Sequence, residues 1–122
     1  MAAAPDHPDM ILGVRFYRTQ SGNEPVREWL RELPKAYRTA IGEDIKTVQF
    51  GWPIGMPVVR KLETGPWEVR SRPDGGIARV VFTLCDDQMI LLHGFIKKSQ
   101  HTPPNDLETA RNRMRQLLGR DA

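Results

Sequence analysis

The sequence predicts an α+β domain: an antiparallel β-sheet packed in two layers against an N-terminal helical hairpin and a C-terminal helix. Three observations carry this. Two amphipathic stretches with a helical period come early and are separated by Pro34. Four short runs rich in β-branched and apolar residues follow between Val58 and Ile96. The segments that join them, TGP, PDGG and CDDQ, are too short for anything but antiparallel hairpins. A run of helices followed by a run of strands belongs to the α+β class rather than to a parallel α/β sheet.

Each element has its own warrant. Ile11 to Tyr17 (ILGVRFY) mixes β-branched and aromatic residues and reads as a first strand. Asn23 is placed to cap the next segment, EPVREWLREL, where Pro25 suits a first helical turn and Val26, Trp29, Leu30 and Leu33 form one apolar stripe. After Pro34, KAYRTAIGEDIKTVQFG puts Tyr37, Ile41, Ile45 and Val48 on one stripe of a second helix. Gly51, Pro53, Gly55 and Pro57 in GWPIGMP then permit only a loop. The strands read as Val58–Leu62, Trp67–Arg72, Ile77–Leu84 and Met89–Ile96. The last of these is apolar on both alternating sets, Ile90, Leu92 and Ile96 against Met89, Leu91 and Phe95, which predicts a strand covered on both faces. Thr102 is an N-cap candidate for a final helix opened by Pro103, with Leu107, Ala110, Met114, Leu117 and Leu118 turned inward.

Composition narrows the function classes. With 122 residues, 39% hydrophobic and 27% charged, the chain is sized for one globular domain, expected over residues 11–122 after a flexible tail at residues 1–10. No apolar run approaches the ~20 residues that cross a membrane, and MAAAPDHPDM has neither the cationic nor the apolar part of a secretory signal. Cys85 is the single cysteine, so no internal disulfide forms, and a cytoplasmic location is expected. GxGxxG and Walker patterns are absent and the three histidines are scattered, so neither a nucleotide cofactor nor a metal is expected.

The net charge of +3 is mild, but the cations are not evenly spread. In WEVRSR, Glu68, Arg70 and Arg72 alternate with Trp67 and Val69; in ARVVFTL, Arg79 opposes Val80, Phe82 and Leu84. Arg70, Arg72 and Arg79 thus share a polar face that continues into Lys97, Lys98 and His101. Such a face suits a phosphate-rich partner, since arginine's donor fork matches phosphate oxygens and lysine adds a compact charge.

RNA can be cleaved on such a face without a metal. The ribose 2′-hydroxyl is the nucleophile, and the protein supplies a proton acceptor, cations for the developing phosphate charge and an acid for the departing 5′-oxygen. Arginine is too weak an acid to act as base, so Arg70 and Arg79 fit charge stabilisation, and Lys97, Lys98 or His101 must move the protons. Lys61 joins Arg72 and Lys97 as a phosphate-binding candidate.

Blander readings stand beside these. Lys97 and Lys98 also fit a solvated strand end, and His101 a helix start. His93, inside the apolar strand, reads as a hydrogen-bonded core histidine. Trp29 and Trp67 read as core, whereas Trp52, in the glycine- and proline-rich loop, either rests on the domain or meets a partner.

The runs LETGPWEVR, GIARVVFTL and ILLHGFIKKSQHTP, leading into DLETARNRM, resemble the phage-derived RelE/HigB-like toxins of bacterial type II toxin–antitoxin systems. The family pattern is a Gly-x-Trp-Glu-x-Arg strand, an Arg-Val-aromatic strand, a His-Gly-Phe-x-Lys-Lys strand end and a Thr-Pro opening the last helix. The resemblance spans about residues 13 to 118. It implies a RelE-like fold, ribosome-dependent mRNA cleavage that inhibits translation, and a helix-turn-helix, HigA-like antitoxin as partner alongside mRNA and ribosome. It also implies that Arg79, Arg70, Lys97 and Lys98 hold the family's basic positions. The C-terminal tyrosine of RelE has no counterpart, since the tyrosines here are Tyr17 and Tyr37, and His101 stands as its substitute. The catalytic set expected is therefore Arg70, Arg79, Lys98 and His101. The same face also suits a non-catalytic RNA- or partner-binding module.

Overall fold

The computed structural model describes residues 9–62, 65–97 and 102–121. Five strands, β1 (Gly13–Phe16), β2 (Val59–Lys61), β3 (Trp67–Ser71), β4 (Ala78–Cys85) and β5 (Gln88–Ile96), form one sheet in the order β1-β5-β4-β3-β2. Helices α1 (Pro25–Glu32) and α2 (Lys35–Gly51) lie between β1 and β2 in sequence, and α3 (Pro104–Asp121) ends the chain. The expected tail at residues 1–10 falls mostly outside the described residues, as do Lys98 and His101.

The hairpins from β2 to β5 are antiparallel, as their turns require. Between β4 and β5, Asp86 and Asp87 both take left-handed backbone angles, φ 48° and 63°, the pair that a two-residue hairpin turn needs and that aspartate tolerates. β1 departs from the expected antiparallel sheet. It runs parallel to β5, with the Gly13 N–H donating to Asp87 O and the Tyr17 N–H to Leu91 O, both at 2.9 Å, so the sheet is mixed. No tight turn ties β1 to a neighbour; the α1–α2 hairpin follows it, and its direction is set by packing alone.

The two-layer expectation is corrected as well. Val26 of α1 and Ile41, Ile45 and Val48 of α2 pack on Val69, Val80, Phe82, Met89 and Leu91. Ala110 and Leu117 of α3 pack on Val81, Ile90, Leu92 and Phe95 from the opposite side, with Tyr17. The sheet is a central layer with helices on both faces, which is what a β5 apolar on both sides demands.

A bulge decides which side chains share a face. Phe82 pairs with Leu91 but Val81 pairs with His93, so β5 carries one extra residue at Leu92. Met89 and Leu91 face α1 and α2, whereas Phe95, expected to join them, turns to the α3 side. Gly94 then faces the other way, against the ring of Trp29, where a Cβ would fall within the indole.

Two caps also differ. Asn23 lies outside α1, whose cap is Glu24 without a side-chain bond, and the Asn23 backbone instead closes a loop with Thr19. Thr102 does not cap α3; its hydroxyl donates to the Glu68 carboxylate.

Candidate nucleic-acid interface

α3 packs over β5 and β4 and leaves the β3–β2 side of its face to polar residues. Register places Arg60 of β2 beside Glu68 of β3, and Arg70 of β3 directly opposite Arg79 of β4. The bulge brings Lys97 to this same face. Without the extra residue at Leu92, alternation would turn position 97 toward α1 and α2; with it, His93, Phe95 and Lys97 follow Val81 and Arg79, and the Lys97 N–H donates to Ile77 O at 2.7 Å.

Two arginines opposite each other repel. Glu68, one pair further along β3, offsets them: its Oε1 lies 3.1 Å from Arg79 Nε, with the two side chains 0% and 1% exposed. Its Oε2 accepts the Thr102 hydroxyl at 2.8 Å, and Arg79 Nη1 donates to Ala78 O at 3.3 Å. Arg79 is thus enclosed rather than open on a cationic surface. Burial lowers its pKa, Glu68 opposes that shift, and Arg70 and Arg72 add to it.

Lys97 is 3% exposed. Its ammonium is held below the ordinary lysine value, first by burial; Glu68 works against that, and Arg79, Arg60 and Arg70 lower it further. Cations at mutual range depress one another, and here they do so beside a single buried carboxylate.

Arg70 is half-exposed. Its Nη1 meets Met56 Sδ at 3.1 Å, and its buried Nε has no hydrogen-bond partner. Arg72, exposed just past β3, lines with Arg70 a cleft of about 370 Å³ that Glu43, Asp44 and Pro57 close from the other side. Lys61, expected with the phosphate-binding group, lies apart from it. It pairs with Trp67 in register and sets its Nζ 5.2 Å from that ring, on the face of α1 and α2.

Sequence reasoning set Glu68 on the right face but gave it no role, passed over Arg60, and gave Thr102 only the role of a helix cap. The signal for Glu68 was its place as the acid in a strand whose other polar positions are Arg70 and Arg72.

His93 is hydrogen-bonded, as expected, but half-buried under α3 rather than in the core. Its Nε2 meets Asp106 Oδ1 at 2.6 Å and its Nδ1 lies 3.3 Å from Arg113 Nη1, which also donates to Leu92 O at 2.8 Å. Trp52 rests on the domain, edge-on to Trp67 at 5.3 Å and to Phe82 at 5.9 Å. Among the described residues no three His, Cys, Asp or Glu side chains gather as a metal site, and no helix is long and apolar enough to cross a membrane.

Residues 28–115 match the family described as Phage derived protein Gp49-like (DUF891). The chain belongs to the Gp49-like family. This is in general a RelE/HigB-like toxin family, so the coarse part of the resemblance read from the sequence holds. The matched region runs from α1 into α3 and takes in β2 to β5, hence Arg60, Glu68, Arg70, Arg79, Lys97 and Thr102 together. No curated protein matches the chain.

Proposed function

We propose that this Gp49-like protein is the HigB-like toxin of a type II toxin–antitoxin system, a single RelE-like domain over residues 11–122 that cleaves mRNA on the ribosome in the cytoplasm. A helix-turn-helix, HigA-like antitoxin restrains it. The observation that carries the reading is the group Arg60, Arg70, Arg79 and Lys97, held on one half of a sheet face around a buried carboxylate. Cations that depress one another's proton affinity cost stability, and a phosphate removes that cost.

The chemistry follows from the protonation states. Lys97, with its neutral form favoured by burial and by three arginines, takes the proton of the ribose 2′-hydroxyl. The 2′-oxygen bonds to phosphorus and the bond from phosphorus to the 5′-oxygen breaks. That oxygen accepts a proton from Lys98 or His101, leaving a 2′,3′-cyclic phosphate and a 5′-hydroxyl. Arg70, half-exposed and with a donor unpartnered, binds the phosphate; Arg79 adds its charge from beneath, and Arg72 extends the contact along the strand.

Induced expression tests this. Wild-type protein should arrest growth and create new 5′ ends inside transcripts, and Arg70→Ala should lower cleavage about 100-fold. Arrest and cleavage unchanged in Arg70→Ala would remove Arg70 from the site. The enclosure of Arg79 favours a second reading, a module that binds RNA or a partner without cutting. Transcripts left whole under full expression would decide for it.

A further inference from the structure

The ribonuclease reading leaves Glu68 unexplained. A carboxylate with no exposure is tolerated only when a counter-charge or donors compensate it, and here these come from two separate parts of the chain. Oε1 forms an ion pair with Arg79 Nε on β4 at 3.1 Å, outside hydrogen-bond geometry. Oε2 accepts from the Thr102 hydroxyl at 2.8 Å, and Thr102 stands where the segment after β5 enters α3. Thr102 stands one residue before the cap position, which Pro103 fills by accepting from the Leu107 N–H, so its hydroxyl has no capping duty and serves Glu68.

We propose that Glu68 is the positioning residue of this site: it ties Arg79 to Thr102 and thereby fixes Lys97 against the arginines of the sheet. The proposal rests on the ribonuclease reading for its catalytic consequence, though the tie itself is a matter of geometry. Glu68 also sets the balance of charge around Lys97. Among the described residues, the charged groups that act on that ammonium include Glu68 and Arg70 from β3, Arg79 from β4 and Arg60 from β2, and Glu68 favours the charged form where the three arginines oppose it.

The test compares wild type with Glu68→Gln, Thr102→Val and Thr102→Ser, in the pH–rate profile of RNA cleavage and in amide exchange over residues 107–110, the first hydrogen-bonded amides of α3. Glu68→Gln keeps the shape and removes the charge. Lys97 then releases its proton more readily, and the rising limb of the profile should move to lower pH by about one unit. Thr102→Val should slow cleavage roughly 10- to 100-fold by misplacing the base, and speed exchange at the start of α3; Thr102→Ser should restore both. Profiles and exchange identical to wild type in Glu68→Gln and Thr102→Val would overturn the proposal. If Glu68→Gln does not fold, the Thr102 pair decides. If wild type cleaves no RNA, the ribonuclease reading falls. Exchange alone then judges the tie: faster in Thr102→Val and restored in Thr102→Ser upholds it, and unchanged in both rejects it.

Discussion

Under α1 and α2, Trp67 and Phe82 of the sheet and Trp52 of the loop after α2 are in mutual ring contact, with centroids 5.3 to 5.9 Å apart, and Val69, Val80, Met89 and Leu91 lie around them. On the opposite face, beside α3, strands β3 and β4 hold Glu68, Arg70 and Arg79 instead. One face follows the rule of close apolar packing. The other places charges where apolar side chains of the same volume would be as stable or more so. That contrast separates what the sheet does for the fold from what we propose it does for a phosphate.

Three changes sharpen the comparison. Phe82→Ala, at the centre of the aromatic group, should lower unfolding free energy by about 3–5 kcal/mol in a urea titration. Gly94→Ala should cost about 1–3 kcal/mol by the same measurement, because the added methyl meets the Trp29 ring. A cost near zero would mean that Trp29 does not sit on β5 as described.

On the polar face the sign reverses. Lys97 has a folded-state pKa below its unfolded value, so the unfolded chain binds more protons between the two and stability rises with pH toward the ordinary 10.5. Lys97→Met removes a penalty that is complete below the folded value. It should raise stability near neutral pH by about 0.5–2 kcal/mol, with the gain fading as pH approaches 10.5. Thermal melts across that range check it. A loss of stability at every pH would place Lys97 with the residues that hold the fold.

Much of this contrast was legible in the sequence. Pro34 and the Gly-Pro loop bound α2 at Lys35–Gly51, the same limits the helical stripe predicts. Alternation sorted Arg70 and Arg79 from Val69 and Val80 because β3 and β4 are apolar on one side only near those positions. It failed in β5, where both faces are apolar. A change of parity at Leu92 leaves no trace in such a pattern, so Phe95 was set on the wrong side. β1 was legible as a strand but its direction was not, for no turn dictates it. Glu68 was misjudged for a different reason. Its partners come from β4 and from the entry to α3, and neither contact follows from spacing along β3.

In the proposed function the polar half-face acts on an RNA phosphate through the neighbouring ribose hydroxyl. The most direct measurement uses a short mRNA on programmed ribosomes, with the 2′-hydroxyl at the cleaved position replaced by hydrogen. Unmodified RNA should be cut to a 2′,3′-cyclic phosphate and a 5′-hydroxyl, and the 2′-deoxy RNA should stay whole. Cleavage of the 2′-deoxy RNA at the same bond, or products ending in a 5′-phosphate, would contradict it.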